Sequence, residues 1–305
     1  MFMKNSVTLT VDGLTVNKMR EYYKNNLRPN DGEYVDFEAR VNDIIITAFI
    51  TKKERKKVFF LGEGALEEAQ KWDEEAKPNE KQEQEKIEWI CFDDQIGSDE
   101  VGVGDFLGPM IVVAAYVNKK DIKKLKELGI QDSKKMTDKQ IMEVGPLLVK
   151  KFQFSKLTLQ NSKYNELVDR GENINSMKAK MHNRALLNML KGHEDVKNIF
   201  VDQFVEEKTY YKYLNDENEE QVRNITFKTK GESYFPCVAL ASVIARYAYL
   251  LEMEKLSKKY GCDFPFGAGK RVNVFAKKFV KKYGEKELYK IAKKNFANYN
   301  EVIEQ

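Results

Sequence analysis

At 305 residues the chain is longer than one domain of roughly 100–200 residues, so two domains are expected. Apolar residues at 42% and aromatics at 11% exclude a wholly disordered chain, despite 33% charged residues. With 52 basic against 48 acidic side chains the formal net charge is only +4, so any preference for an anionic partner must come from where the charges sit.

Ser6 to Val11 alternates as a strand does, and Thr15 reads as the cap of a helix running through Tyr23. Strands are expected at 34–41, 44–51 and 56–61, joined by short polar breaks that suit antiparallel hairpins, and a helix follows at 66–72. Residues 77–89 are strongly polar with Pro78 near their start, as an exposed linker would be. The expected division is therefore an α+β unit at 1–76, a linker at 77–89 and a second domain at 90–305. In that domain strand-like runs at 110–117, 152–159 and 199–205 alternate with helical stretches at 137–151, 175–191, 233–257 and 273–283, which is α/β patterning. The stripe Met177, Met181, Leu186, Leu187 and Leu190 is expected to face the core.

The longest apolar run that stands out, 110–117, is far short of the ~20 residues that cross a bilayer. Cys91, Cys237 and Cys262 are odd in number and widely spaced, which argues against a disulfide framework or zinc knuckle and for a reducing compartment. A soluble cytoplasmic protein with no membrane partner is expected. Only His182 and His193 are available for acid–base work, so carboxylates are the better candidates for chemistry.

The densest signal runs from Gly97 to Pro109, where Asp99 and Glu100 abut Gly102-Val103-Gly104. A dinucleotide fingerprint would open a helix, whereas these glycines run into Pro109 and a strand. Glycines around Val103 let another backbone approach, and a sugar-phosphate chain is one such backbone. A hairpin turn with solvated acids accounts for the same residues about equally well. Asp202 ends the apolar run 199–201, where an emerging strand would present it at the sheet's edge. Glu232 precedes an Ala-rich helix and could simply favour that helix's N-terminus. Brought together, Asp99, Glu100, Asp202 and Glu232 would form the hard oxygen donor set that Mg²⁺ or Mn²⁺ prefers. Adjacent strand residues face opposite ways, so Asp99 and Glu100 reach one site only if the strand bends there.

Asp99-Glu100-Val101-Gly102-Val103-Gly104 with Gly108-Pro109, Asp132-Ser133-Lys134-Lys135, Asn173-Ile174-Asn175, Met177-Lys178-Ala179, His182-Asn183, Asp202, and Glu232 through Arg246 resemble bacterial ribonuclease HIII. The match covers 95–250 closely, and the Tyr247-Ala248-Tyr249-Leu250 stretch lacks the later aspartate of ribonuclease HII. The resemblance implies a ribonuclease H-like mixed sheet flanked by helices, behind a small N-terminal α+β domain like the TATA-binding protein that binds substrate. It implies hydrolysis of the RNA strand of RNA/DNA hybrids by a monomer, leaving 5′-phosphate and 3′-hydroxyl ends. Asp99, Glu100, Asp202 and Glu232 would hold two Mg²⁺ or Mn²⁺ ions about 3.5–4 Å apart. The loop departs from the family in carrying Val103, which cannot donate a side-chain hydrogen bond. Main-chain groups of Gly102, Val103 and Gly104 would then sense the ribose 2′-hydroxyl, with Ser133 and Lys134 near a phosphate.

Around this centre the readings are less specific. Lys178 and His182 share a helical face and read slightly better as solvated than as substrate contacts. Basic runs at 52–57 and 270–294 could neutralise phosphates, although a charge run is more often a solvated face. Tyr34 and Phe37 are candidates for a flat binding sheet. The alternatives are ribonuclease HII-like cleavage at single ribonucleotides in DNA, a non-catalytic hybrid- or DNA-binding module and, more weakly, a dinucleotide-dependent dehydrogenase.

Overall fold

A computed structural model describes residues 6–29, 35–50, 55–79, 88–130, 135–215 and 220–304. The chain divides into two compact units, Met1–Lys86 and Ile87–Gln305.

The first unit is a five-stranded antiparallel sheet with helices on one face. Its strands are β1 (Ser6–Asp12), β2 (Leu27–Arg28), β3 (Val35–Val41), β4 (Ile44–Phe49) and β5 (Arg55–Leu61), in the order β1-β5-β4-β3-β2. Alternation decides the faces: Val7, Leu9, Ala39, Ile46, Ala48, Val58 and Phe60 point inward and are buried. Helices α1 (Gly13–Tyr22) and α2 (Ala65–Gln70) cover that face, with Val16, Met19, Ala65 and Ala69 buried. Each large side chain so buried contributes about 1.5–3 kcal/mol. Asp12, not Thr15, caps α1: its side chain accepts from the Thr15 amide at 2.7 Å, because the cap must sit outside the first helical turn. Glu68 is buried but satisfied, accepting from the Tyr23 hydroxyl at 2.8 Å and the Lys71 ammonium at 2.7 Å.

The second unit is a three-layer α/β arrangement. Its strands are β6 (Gln95–Val101), β7 (Met110–Val117), β8 (Phe154–Leu159), β9 (Asn198–Asp202) and β10 (Ile225–Lys228), in the order β10-β9-β6-β7-β8. β6, β7 and β8 pair antiparallel, while β9 and β10 run parallel to β6, so the sheet is mixed. The helices are α3 (Ile122–Glu127), α4 (Asp138–Lys151), α5 (Asn161–Asp169), α6 (Ile174–Leu190), α7 (Glu207–Leu214), α8 (Pro236–Tyr260), α9 (Lys270–Tyr283), α10 (Glu285–Tyr289) and α11 (Ala297–Ile303). α8 packs on one face of β6 and β7 and α6 on the other, which explains why β7 is an almost unbroken apolar run.

α8 is long and apolar enough by length and composition to span a bilayer, yet 67% of its most apolar window is buried inside the protein. It is the central core helix. Its close approach depends on Gly97, where a Cβ would drive into Cys237 and Val238.

Two tethers shorten the expected linker. The Asn79 amide donates to Ser6 O at 2.8 Å, and Trp89 is fully buried in the second unit's core, since a large indole gains more by packing than by solvation. The intervening 80–87 lie outside the described residues.

Lys293 also departs from the sequence expectation. Counted among the basic residues of 270–294, it is fully buried, and its ammonium donates to Asp105 O at 2.8 Å and Gly108 O at 2.6 Å. Burial pushes its pKa down to about 7, with the Asp105 charge pulling the other way. Between that value and the unfolded lysine's the unfolded chain binds the extra proton, so stability rises with pH, by up to about 1.4 kcal/mol per pH unit. Urea unfolding from about pH 7 to 8.5 should show this rise in the wild type but not in Lys293→Met; parallel curves would contradict it.

Candidate active site

Asp99 and Asp202 come together where β9 ends alongside β6. Parallel pairing sets Ser98 against Val201, which brings Asp99 and Asp202 level at the carboxyl ends of their strands, the usual ligand-binding side of such sheets. Asp202 Oδ1 accepts from the Gly231 amide at 2.8 Å. That bond ties β9 to the 3₁₀ turn Gly231–Ser233 leading into α8 and carrying the buried Glu232. The Trp89 indole donates to Glu232 O at 3.4 Å, and the Ser233 hydroxyl to Glu232 Oε1 at the same distance.

Asp99 is buried against α8, where its carboxyl meets the Ser242 hydroxyl and its Oδ1 accepts from the Glu100 amide at 2.7 Å. Burial, then the charges of Glu100 and Asp202, push its pKa well above the ordinary carboxylate value. Three carboxylates thus feel one another across the strand ends.

β6 does not bend at the acids. It stays paired with β7 through Val101, so Asp99 faces α8 and Glu100 faces α6, and the turn begins only at Gly102 with φ +82. On the α6 face Glu100 Oε1 is ion-paired with Lys178, and Oε2 accepts from His182 Nε2 at 2.9 Å. Because a carboxylate only accepts, Nε2 carries the proton, and in the neutral ring Nδ1 accepts from the Ser98 hydroxyl at 2.8 Å. Burial works against the Glu100 charge, but His182 and Lys178 outweigh it and hold its carboxyl below the usual value.

Lys178 and His182 are therefore buried partners of an acid and not the solvated pair their charge suggested. The Lys178 ammonium also lies 3.9 Å from the Phe204 ring centroid, and His182 stacks on the same ring. The readable signal was their flanking by Met177, Ala179, Ala185 and Leu186, all on a helix that the apolar stripe already marked as core.

As the side chains stand, no three carboxylate, imidazole or thiol groups among the described residues lie close enough to grip one ion. The donor chemistry nevertheless fits a hard divalent cation, since the three carboxylates offer hard oxygen donors and the charges of Glu100 and Asp202 already bear on Asp99. Ser133 and Lys134 lie outside the described residues.

The glycine loop is built in two parts. Gly102 has a left-handed backbone, and a Cβ there would strike Pro109 O and the Tyr249 ring. Gly104 is exposed, its φ lies outside the left-handed region, and among the described residues nothing stands within 4 Å of where its Cβ would be. Val103 is partly buried against Met110, Tyr164 and Met177.

In the first unit Phe37 belongs to the helix-covered core, because an even residue offset from Ala39 puts both inward; Tyr34 lies outside the described residues. The opposite face carries Thr8 beside Phe59, Thr10 beside Lys57, Thr47 beside both Phe59 and Glu38, and Arg40 beside Ile45. Of the basic run 52–57, residues 55–57 are described and lie on β5. On α9, Val272, Ala276 and Phe279 face the core while Arg271, Lys278, Lys281 and Lys282 are exposed.

Residues 96–299 match the family model for ribonuclease HII, and residues 6–86 match a domain of unknown function (DUF3378). A ribonuclease HIII of Bacillus cereus strain 03BB102 is 39% identical over 97% of both chains. The crystal structure of Bst-RNase HIII in complex with Mn²⁺ is similar at 32% identity and a TM-score of 0.68, covering 98% of each chain. The ribonuclease H2 of Pyrococcus horikoshii OT3 shares the fold of 69% of this chain, at a TM-score of 0.57 and 24% identity.

Proposed function

We propose, from the premise that this chain belongs to the ribonuclease HIII family, a specific division of labour among its residues. The chain is a metal-dependent endoribonuclease that hydrolyses the RNA strand of RNA/DNA hybrids, with Mg²⁺ or Mn²⁺ as cofactor. Asp99, Asp202 and Glu232 would hold the cations from the α8 side of the strand ends, and Glu100 would complete the set from the α6 side. The observation that carries this reading is the level register of Asp99 with Asp202, together with the upward push that burial and the charges of Glu100 and Asp202 give the Asp99 pKa. When bound, a pair of divalent cations supplies the Lewis acidity that activates water and steadies the departing 3′-oxygen.

Everything else is the work of the protein. Gly231 fixes Asp202 through its amide, and Ser242 orients Asp99. Lys178 and His182 hold Glu100 ionised and in one orientation. The main chain at Gly102, Val103 and Gly104 meets the hybrid's sugar-phosphate strand and reads the 2′-hydroxyl, which both donates and accepts. Cleavage of a labelled hybrid is expected with Mg²⁺ or Mn²⁺ and not with chelator; metal-independent cleavage would overturn the assignment. A duplex holding one ribonucleotide should be cut far less well than a continuous hybrid, and the reverse order would favour ribonuclease HII-like action.

The first unit binds substrate through the sheet face bearing Thr8, Thr10, Thr47, Lys57 and Phe59, where hydroxyls, a cation and an aromatic ring offer phosphate and sugar contacts. Deleting 1–86 should weaken hybrid affinity by about 10²-fold or more while leaving the second unit's core folded. Unchanged affinity would remove this role. The same reading makes the protein a monomer of the cytoplasm without a membrane partner, and the free thiols of Cys91, Cys237 and Cys262 suit that compartment.

A further inference from the structure

We propose that Lys293 is a positioning residue that locks the base of the glycine loop so that its outer arm is presented to substrate in one geometry. The inference rests on the reading of Gly102, Val103 and Gly104 as the hybrid-sensing arm.

The loop between β6 and β7 has a base, Asp105 to Gly108, that the C-terminal segment holds by its backbone as well as by Lys293. The Lys293 amide donates to Phe106 O at 2.9 Å and the Gly108 amide to Ile291 O at 2.8 Å, while Leu107 bridges Ala292. From other elements the Tyr249 hydroxyl donates to Leu107 O at 3.0 Å, and the Gly267 amide donates to the Asp105 carboxylate at 2.5 Å. Asn165 steadies the clamp itself, donating to Tyr289 O and Ala292 O and accepting from the Lys294 amide, each at 2.9 Å.

Within this network the Lys293 side chain does what no backbone group does. Its terminal nitrogen joins Asp105 O and Gly108 O, the two ends of the base, from a residue 188 and 185 positions away. The bond to Gly108 O is buried and the one to Asp105 O is part-buried, so losing the donor would leave the Gly108 carbonyl short of a partner away from water. Taking a lysine wholly out of water is costly, and the rest of the fold must offset that cost. That cost is easiest to understand where a fixed backbone is needed more than stability.

The loop's outer arm fits such a need. Gly104 is exposed with open space around its Cβ position, so its geometry is set by the base and not by packing of its own. A main-chain reader can discriminate a ribose only if its amides and carbonyls are held in place before binding, and ordering them on contact would weaken binding.

The test uses the full chain in an Asp99→Asn background, so that substrate survives, and compares affinity for an RNA/DNA hybrid and a DNA duplex of one sequence. Amide hydrogen exchange is followed alongside. Lys293→Met should raise exchange at 102–108 by about tenfold or more relative to the rest of the unit. It should also lower the hybrid-over-duplex preference by about tenfold. Exchange that is unchanged, or raised evenly across the unit, overturns the clamp and leaves a merely structural lysine. Gly104→Ala, which leaves Lys293 untouched, separates the two layers of inference. If it leaves the preference intact, the reading of the loop as sensor fails. If it alters the preference while Lys293→Met does not, the proposal for Lys293 fails. Should Lys293→Met not fold, Lys293→Gln retains a donor for one carbonyl and is read by the same outcomes.

Discussion

Asp99→Asn is expected to remove hybrid cleavage by well over 10²-fold while leaving hybrid binding in place. Changing a partner of a metal ligand typically costs about 10–100-fold, and Asp99 is proposed as a ligand itself. Asparagine keeps the size of the side chain and an oxygen for Ser242, but it loses the charge that attracts a cation. The fold should not suffer. Asp99 is a buried acid whose ionisation is opposed by burial, Glu100 and Asp202, so a neutral amide relieves repulsion in the metal-free protein. Thermal unfolding should therefore show an undiminished Tm for Asp99→Asn without metal, together with a smaller rise on adding Mn²⁺ than the wild type gives. Cleavage retained at the wild-type rate would favour a hybrid-binding module whose acids are structural. A collapse of Tm without metal would instead make Asp99 a structural residue.

The second large effect comes from two glycines that look alike in sequence. Gly102→Ala should destabilise the catalytic unit by at least about 1–3 kcal/mol, because its left-handed backbone opposes any Cβ. The added methyl would also meet Pro109 O and Tyr249. Gly104→Ala should leave stability within about 0.5 kcal/mol, since its backbone is unstrained and no described neighbour stands near the new methyl. Yet if a sugar-phosphate chain passes over this arm, the methyl displaces it, and a shift of about 1 Å in a reacting group can cost about 10²-fold in rate. The paired measurement is a denaturation curve with hybrid kinetics for both variants. Full activity in Gly104→Ala would mean that substrate does not approach this backbone.

These expectations also mark how far a sequence reads. Alternation in 6–11 marks a strand without any coordinates, because a strand's period of two puts successive side chains on opposite faces. The apolar run 110–117 announces a strand, while its cover by α8 on one side and α6 on the other is visible only in the fold. The ordered motifs from Asp99 to Arg246 carry the family resemblance because acids and glycines at a reacting centre have few chemical substitutes. Lys293 escapes such reading. In a run of lysines it has no periodicity that separates it from its solvated neighbours, and burial through two distant carbonyls is a property of chain crossing. Phe37 escapes for a related reason, since only pairing with β4 fixes which side of that sheet the helices cover.

The sequence by itself determined the class of fold, the acids available for chemistry and the α8 segment's small residues, since each is a matter of local pattern and side-chain type. Only the tertiary structure decided that Asp99 and Glu100 look to opposite faces of an unbent strand, that Asp202 stands level with the first of them, and that Lys178 and His182 are buried on the second. The physical reason is that a strand's neighbours, and therefore the company its charges keep, are set by pairing between segments about a hundred residues apart, which no local spacing records.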